Sequence, residues 1–207
     1  MDTGTSDTAR RGPAHTGQPP GGTVIFLNGT SSSGKSSIAT ELLRILDDRY
    51  FHFPVDAFHA MRSKREILPH QFQDVLDSTC RGFHRAAAGM AAGGNNIVVD
   101  HVFSQSWRVA DCVSVFVPEN VLLVGVRCPL PELERREGER GDRPSGLAAK
   151  QFARVHAHGI HDIECDTSVL SPLECAERIR DFLPGRPRPT AFQQLRERLL
   201  TPSVPNA

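Results

Sequence analysis

A glycine- and serine-rich segment, GTSSSGKS at residues 29–36, carries the clearest chemical signal in the sequence. It lies between a short apolar run, TVIFLN, and an amphipathic stretch, which predict a buried strand and a helix. Glycines let consecutive backbone N–H groups face one anion, and the following helix contributes its positive N-terminal end. The pattern predicts a P-loop in which Lys35 reaches the β- and γ-phosphates of a nucleoside triphosphate and the Ser36 hydroxyl ligates Mg²⁺. The predicted phosphate-binding residues are Gly29, Thr30, Ser31, Ser32, Ser33, Gly34, Lys35, Ser36 and Ser37.

Two aspartates follow apolar runs at positions where open α/β sheets place their ligands. Asp56 comes just after the second predicted strand, where its carboxylate could accept the proton of an attacking hydroxyl and orient it towards the γ-phosphorus. Its spacing alone leaves a helix N-cap open as an alternative. Asp100 ends the run IVVD and resembles a Walker-B carboxylate, which would hold Mg²⁺ directly or through water. A strand-end cap is the alternative for Asp100.

Three arginines, Arg136, Arg140 and Arg143, follow the fourth predicted strand and lead into a glycine-containing break at residues 141–144. Their spacing places them on one helical face. We interpret this segment as a lid whose arginines neutralise the transferring phosphoryl group and exclude water. Taken alone, a charge run of this kind is typical of a solvated face with pairs between arginines and glutamates. The glutamates in question are Glu132, Glu134, Glu137 and Glu139.

Several further polar residues have ambiguous patterns. Arg127, at the end of its strand, could contact phosphate or form a buried pair. His101 could touch a substrate, although strand alternation sends it to the face opposite Asp100 and favours a packed or solvated side chain. His156, His158 and His161 hint at a metal site, but no cysteine or carboxylate pattern completes one, so we expect surface or helix-end positions.

The elements needed to position these residues alternate along the chain. Strands are expected at residues 23–28, 50–55, 96–100, 121–127 and 163–166. Helices are expected at residues 36–48, 57–92 with a break near Pro69, 107–115, 131–140, 146–158 and 172–183. This order predicts an α/β fold, the three-layer P-loop NTPase/kinase type, with a central parallel sheet and an arginine-bearing lid. We expect a disordered leader at residues 1–22, the P-loop kinase domain at 23–184, and a loosely held tail at 185–207 in which 191–200 could be helical.

Composition restricts the function classes. A length of 207 residues suits one domain, and the equal numbers of Lys plus Arg and of Asp plus Glu, 24 each, give no reason to expect nucleic acid or anionic membrane as a partner. A neutral small-molecule acceptor fits better, and a homo-oligomer stays open. The five cysteines form no CxxC pair, which indicates free thiols in a reducing compartment and small core residues. With no secretory signal and no long apolar run, we expect a soluble, cytoplasmic protein.

Between residues 24 and 183 the chain resembles the chloramphenicol 3-O-phosphotransferase family, small bacterial antibiotic kinases. The resemblance lies in LNGTSSSGKSS, PVDAFHAM, IVVDHVF, VGVRC, RREGERGDRPSGLAAKQ and HDIECDTS, of which the lid segment is the most specific. It implies ATP with Mg²⁺, transfer of the γ-phosphate to an alcohol of an antibiotic, and Asp56 as the residue that takes the hydroxyl proton. On this resemblance, the acceptor would contact Asp56, Phe58, His101 and Phe103.

Two departures from the family lie near the expected acceptor site. The family has an acidic residue where this chain has His101, and a longer Gly- and Asp-rich stretch in place of SKREILP at residues 63–69. We therefore expect the fold and chemistry to carry over better than chloramphenicol itself. A small-metabolite kinase, acting on a sugar acid, nucleoside or nucleotide, is the alternative function. A nucleotide-binding switch is less consistent with the sequence, because no guanine-reading NKxD element is present.

Overall fold

Five parallel strands form one sheet in the computed structural model, which describes residues 21–140 and 146–200. The strands are β1 (Val24–Asn28), β2 (Tyr50–Pro54), β3 (Asn96–His101), β4 (Val121–Arg127) and β5 (Ile163–Asp166). Their order across the sheet is β2-β3-β1-β4-β5, and every neighbouring pair runs parallel. The apolar runs VIFL and IVV are fully buried, as expected of central strands covered on both faces.

Helices connect successive strands, and two more follow the last strand. They are α1 (Lys35–Ile45), α2 (Val55–Ala60), α3 (Phe72–Ala92), α4 (Ser106–Val115), α5 (Leu130–Arg140), α6 (Leu147–Phe152), α7 (Pro172–Phe182) and α8 (Ala191–Leu200). Short 3₁₀ turns occur at Pro69–Gln71, Pro118–Asn120 and Leu183–Gly185. The predicted break near Pro69 is confirmed, but the helix predicted at residues 146–158 ends at Phe152 and continues as turns.

The helices cover both faces of the sheet and complete three layers. On one face, α1 and α7 pack against each other through side chains such as Ile38, Leu42 and Ile179. On the other face, α3, α4 and α8 enclose an aromatic cluster centred on Phe26, whose ring stacks on Phe103 with centroids 4.9 Å apart. The predicted three-layer α/β fold with a central parallel sheet is therefore confirmed.

Residues 191–200 form the helix that the sequence left open, but this helix is packed and not loosely held. In α8, Phe192 and Leu195 are fully buried in the aromatic cluster. The Ala191 N–H donates to Asp162 Oδ1 at 2.7 Å, and the Thr190 hydroxyl donates to the Pro118 carbonyl at 2.8 Å. Burial of two large apolar side chains fixes this segment to the sheet.

Other expectations fall partly outside the described residues. Of the predicted leader, only residues 21 and 22 are described, and the Gly22 N–H donates to the Ala91 carbonyl at 2.8 Å. All five cysteines are unpaired and buried, as expected of small core residues. Within the described part of the chain, none of the helices combines the length and apolar character required to cross a bilayer.

Register brings the chemically interesting residues to one edge of the sheet. Pro54 of β2 pairs with Asp100 of β3, and Asn28 of β1 pairs with His101. The carboxyl ends of the three strands therefore coincide. The segments that follow them, including the P-loop and Asp56, begin at the same edge.

Candidate active site

The P-loop forms a tight turn between β1 and α1. Ser32 and Gly34 have φ angles of 62° and 89°, both in the left-handed region. A Cβ on Gly29 would lie 2.6 Å from the Ser33 hydroxyl and from the Val126 carbonyl, so glycine is required there. The hydroxyls of Ser32 and Ser33 are buried and have no hydrogen-bond partner among the described residues. Unpartnered polar atoms in such a loop fit an anionic group with several acceptor oxygens.

Lys35 and Ser36, the first residues of α1, both face Asp100. The Lys35 ammonium donates to the Thr30 carbonyl at 2.7 Å and lies 3.8 Å from Asp100 Oδ1. The Ser36 hydroxyl donates to Asp100 Oδ2 at 2.6 Å. Burial alone would raise the pKa of Asp100, but the Lys35 charge, the nearby His52 imidazole and the hydrogen bond from Ser36 outweigh it and lower that pKa. An ionised carboxylate beside a serine hydroxyl is an oxygen pair of the kind that Mg²⁺ prefers.

The geometry argues against the helix N-cap alternative for Asp56. Helix α2 begins at Val55 with Pro54 as its N-cap, so Asp56 lies inside the first turn. After β3, helix α4 begins only at Ser106, with Gln105 as its cap. Neither Asp56 nor Asp100 therefore caps the helix that follows it.

One small cavity joins the predicted transfer residues. Its volume is about 70 Å³, and its lining includes Lys35, Ser36, Asp56, Asp100 and Arg140. Asp56 is exposed, whereas Asp100 is buried. The arrangement places a solvent-accessible carboxylate on the same cavity as the lysine that the sequence predicts to bind phosphate.

The two described lid arginines occupy different positions. Arg140 lines the small cavity, whereas Arg136 donates to the hydroxyl and the carbonyl of Thr167 at 3.0 and 2.7 Å. Both arginines, together with Gly34, border a second cavity of about 390 Å³ beside the P-loop. Residues 141–145, including the predicted Arg143, lie outside the described residues.

The glutamates of α5 do not form a uniformly solvated face. Glu137 is only 5% exposed, and its carboxylate accepts the N–H groups of Gly146 and Ala148 at 2.7 and 3.0 Å. Glu132, in contrast, pairs with Arg135 and Arg136 near the surface. Glu137 thus holds the start of α6 against α5, a role that the charge pattern did not predict.

Three residues that we did not single out from the sequence hold the P-loop in place. Gln151 accepts the Ser31 N–H at 2.7 Å, and the Thr167 hydroxyl donates to the Ser33 carbonyl at 2.9 Å. Asn28 accepts the Phe103 N–H at 2.9 Å. Gln151 and Thr167 occur in the family-like segments AAKQ and DTS, which is the signal that could have identified them.

The predicted acceptor residues are divided between the cleft and the core. Phe58, half-buried in α2, packs against Phe53 and Phe83. His101 is fully buried, with its Nε2 3.0 Å from Nε2 of His84, so the geometry does not support contact with an acceptor. Its side chain is packed, as strand alternation favours. Phe103 is only 1% exposed and stacks within the aromatic core, although it borders a separate cavity.

The three histidines after the lid correct another expectation, because they pack together instead of lying at the surface. His156 Nδ1 lies 3.3 Å from His161 Nε2, and the His158 and His161 ring centroids are 4.6 Å apart. Burial, followed by nearby positive groups, lowers the pKa of His156 and of His158 to about 4. Among the described residues, no group of three His, Cys, Asp or Glu side chains is arranged to hold a metal ion.

Arg127, whose role the sequence left open, pairs with Glu164 at 2.6 Å. Both side chains are about two-fifths or more exposed, at 40% and 47%. The pair is therefore not a buried ion pair.

Curated proteins and solved structures include several that are similar to this chain. A Mycobacterium tuberculosis protein named "Putative O-phosphotransferase Rv2636" is 29% identical over 206 residues, spanning 88% of this chain and 91% of that protein. The APS kinase CysC of M. tuberculosis has a TM-score of 0.57 at 22% identity, covering 80% of this chain and 99% of the other. A Deinococcus radiodurans tunicamycin resistance protein has a TM-score of 0.58 at 18% identity, covering 78% and 95%. At these identities the two structures show a shared fold.

A family model supplies the more specific assignment. It is described as chloramphenicol phosphotransferase-like protein and matches residues 22–184, the segment that contains the P-loop, Asp56, Asp100 and the described lid arginines. The chain therefore belongs to the chloramphenicol phosphotransferase-like family and is a P-loop kinase.

Proposed function

We propose that this protein is an ATP- and Mg²⁺-dependent O-phosphotransferase that moves the γ-phosphate to a hydroxyl of a small-molecule antibiotic. The observation that carries this proposal is the shared cavity, in which Asp56 accompanies Lys35, Ser36 and Asp100. Family membership supports a phosphoryl acceptor related to hydroxylated antibiotics.

The donor half of the site is the P-loop. Its backbone N–H groups and the unpartnered hydroxyls of Ser32 and Ser33 would bind phosphate oxygens, and Lys35 would contact the β- and γ-phosphates. Ser36 and Asp100 would hold Mg²⁺, directly or through water, which when bound neutralises charge between the β- and γ-phosphates. The second cavity, bordered by Arg136, offers room for the nucleoside beside the P-loop.

The acceptor half of the site is Asp56 and its surroundings. The Asp56 carboxylate takes the proton from the acceptor hydroxyl, whose oxygen forms a bond to the γ-phosphorus. The bond from that phosphorus to the oxygen of the leaving ADP breaks, and Arg140 adds positive charge beside the transferring group. The products are ADP and a phosphate monoester of the acceptor.

The similarity to the D. radiodurans tunicamycin resistance protein supports an antibiotic acceptor and a role in resistance or self-protection. A small-metabolite kinase is the alternative, because similar folds occur in an APS kinase, a gluconokinase and a shikimate kinase. Both functions use the same donor residues and differ only in the acceptor. Five buried free thiols are consistent with a cytoplasmic location, where ATP is available.

Incubation with ATP and Mg²⁺ tests the proposal. Chloramphenicol is the first acceptor, followed by a panel of hydroxylated antibiotics, nucleosides and sugar acids. Mass spectrometry should show addition of one phosphoryl group to at least one antibiotic, and the Lys35→Met variant should not produce it. Phosphorylation of a sugar acid or nucleoside alone would favour the metabolite kinase, and no product from any acceptor would overturn both.

A further inference from the structure

A cavity separate from the P-loop lies at the same end of the sheet. Its volume is about 570 Å³, within the ~300–1,000 Å³ typical of sites for drug-sized ligands. Its walls come from the segment after β3, from the turns that follow α6, and from the C-terminal end of α8. The much smaller cavity beside Lys35 and Asp56 could hold a reacting hydroxyl but not the body of a larger molecule.

The apolar part of this wall suits a ring. Phe103, Trp107, Val109 and Leu199 contribute to it. The indole of Trp107 is held by the Arg81 guanidinium, which lies 4.3 Å from the ring centroid, and by a hydrogen bond from its N–H to Gln105. A fixed aromatic wall favours a flat, apolar ligand body over a flexible polar chain.

The charged part of the wall is cationic. Arg154 and Arg198 line the cavity, whereas no described aspartate or glutamate does. Arg198 donates to the His158 carbonyl, and Arg154 makes no ion pair or side-chain hydrogen bond with another described residue. His158, which also lines the cavity, has a pKa lowered to about 4 by burial and is neutral near pH 7. Arg154 and Arg198 are both exposed, so an anionic group on the ligand would find two accessible guanidinium partners there.

The larger cavity and the small cavity at the P-loop are lined by residues that are adjacent in the chain. Val102 lines the cavity at the P-loop, and the next residue, Phe103, lines the larger one. The backbone N–H of Phe103 is tied to Asn28 at the end of β1. A ligand body in the larger cavity is therefore held next to the strand ends from which the P-loop and Asp100 emerge.

From these observations we infer that this cavity binds the non-reacting body of the acceptor, and that the acceptor is a ring-bearing molecule with an acidic group facing Arg154 and Arg198. That the bound molecule is the acceptor rests on the proposed function, whereas the existence of the binding site does not. Helix α8, outside the family-matched residues 22–184, then contributes to specificity.

A pair of dyes tests the site without ATP. The probe is 1-anilinonaphthalene-8-sulfonate, and its neutral control is N-phenyl-1-naphthylamine, which has the same rings without the sulfonate. Trp107 is the only tryptophan in the chain, so energy transfer from tryptophan to bound dye reports occupancy near this cavity. We expect the anionic dye to bind more tightly than the neutral one and to show energy transfer from Trp107 on binding.

Charge variants make the binding test specific. Arg154→Gln should weaken binding of the sulfonate about 3- to 10-fold, the range of one charged contact at a part-exposed site, and leave the neutral dye nearly unchanged. Arg154→Lys should restore most of the affinity. Arg196→Gln, an exposed arginine of α8 that does not line the cavity, is the matched control. Equal affinity of wild type and Arg154→Gln for the sulfonate, or dye binding without energy transfer, would overturn the inferred site.

A second pair of compounds separates this inference from the proposed function. 3-Phenyllactate carries a ring, a hydroxyl and a carboxylate, and 3-phenyllactamide replaces the carboxylate by a neutral amide. With ATP and Mg²⁺, phosphorylation of the acid should exceed that of the amide, and Arg154→Gln should remove the difference mainly through KM. If phosphorylation of other acceptors occurs but Arg154→Gln leaves every acceptor unaffected, the inference fails and the kinase function stands. If the dyes bind as expected but no acceptor is phosphorylated, the site stands and the acceptor role fails.

Discussion

The Ser36 hydroxyl donates a 2.6 Å hydrogen bond to Oδ2 of Asp100, a residue 64 positions away in the chain. The contact exists because β1 and β3 are neighbours in the sheet with Leu27 opposite Asp100, and α1 starts just beyond the P-loop. It brings a serine from the P-loop and a carboxylate from β3 into one oxygen cluster. This pair, together with Lys35, defines the donor side of the site.

Removal of either member of that pair should weaken the binding of Mg²⁺, and the two effects should be coupled. For Ser36→Ala and for Asp100→Asn we expect the Mg²⁺ concentration for half-maximal activity to rise roughly 10–100-fold. In the double variant, the loss of Mg²⁺-binding free energy should be smaller than the sum of the losses in the two single variants, because both changes remove one shared site. Titration of activity against Mg²⁺ for the four proteins measures this coupling, and full additivity would mean that the two residues act separately.

Asp56→Asn should separate catalysis from nucleotide binding. Loss of the proposed proton acceptor should lower kcat by roughly 10²–10⁴-fold, while the Kd for ATP changes little, because on the proposed function Asp56 acts on the acceptor hydroxyl and does not bind the phosphates. Steady-state kinetics and calorimetric ATP titration provide the two readings. Asp74→Asn, an exposed aspartate of α3, is the control. A parallel loss of ATP affinity in Asp56→Asn would indicate a structural role.

Glu137→Ala should destabilise the start of α6. It leaves the N–H groups of Gly146 and Ala148 without their acceptor, and a buried unpaired group costs about 1–3 kcal/mol. Glu137→Gln retains one acceptor oxygen and should lose less. Urea unfolding gives the free energies of unfolding, with Glu134→Ala on the exposed side of α5 as the control. Equal free energies of unfolding for Glu137→Ala and Glu134→Ala would contradict the role of Glu137 in holding α6.

The histidine cluster should make the protein less stable in mild acid. Burial and then nearby charges lower the pKa of His156 and His158 from 6.5 to about 4, so the unfolded chain binds more protons in that interval. The free energy of unfolding should therefore fall as the pH drops from 6.5 towards about 4. Urea unfolding at about pH 7 and about pH 5 measures the loss. His158→Gln should reduce it, unlike His70→Gln at an exposed position.

Phe192→Ala should show that α8 belongs to the folded core. The side chain is fully buried against Phe26, and truncation of a buried phenylalanine costs about 3–5 kcal/mol. Gln194→Ala, two residues further along α8 at an exposed position, should change stability little. If both variants unfold at the same urea concentration, the helix is not part of the folded core.

Local sequence was sufficient for elements whose signals are short-range. The strands were placed within about one residue because each is an apolar run between turn residues, and the P-loop follows from its glycines, lysine and flanking elements. The segment after the lid was predicted as helix to His158, but the structure ends it at Phe152. Beyond that end, the Asn28 side-chain amide donates to the Val155 carbonyl at 2.8 Å. A contact across 127 positions is not visible in local periodicity.

The sequence by itself determined the fold class, the nucleotide-phosphate site and the identity of Asp56 and Asp100 as candidates, because these depend on patterns within a few residues. Only the tertiary structure decided that Glu137 is buried, that His101 faces the core, and that α8 encloses a cationic, ring-sized cavity. Those features depend on which surfaces meet after the sheet has formed. Burial and pairing between distant segments have no local signature in the chain.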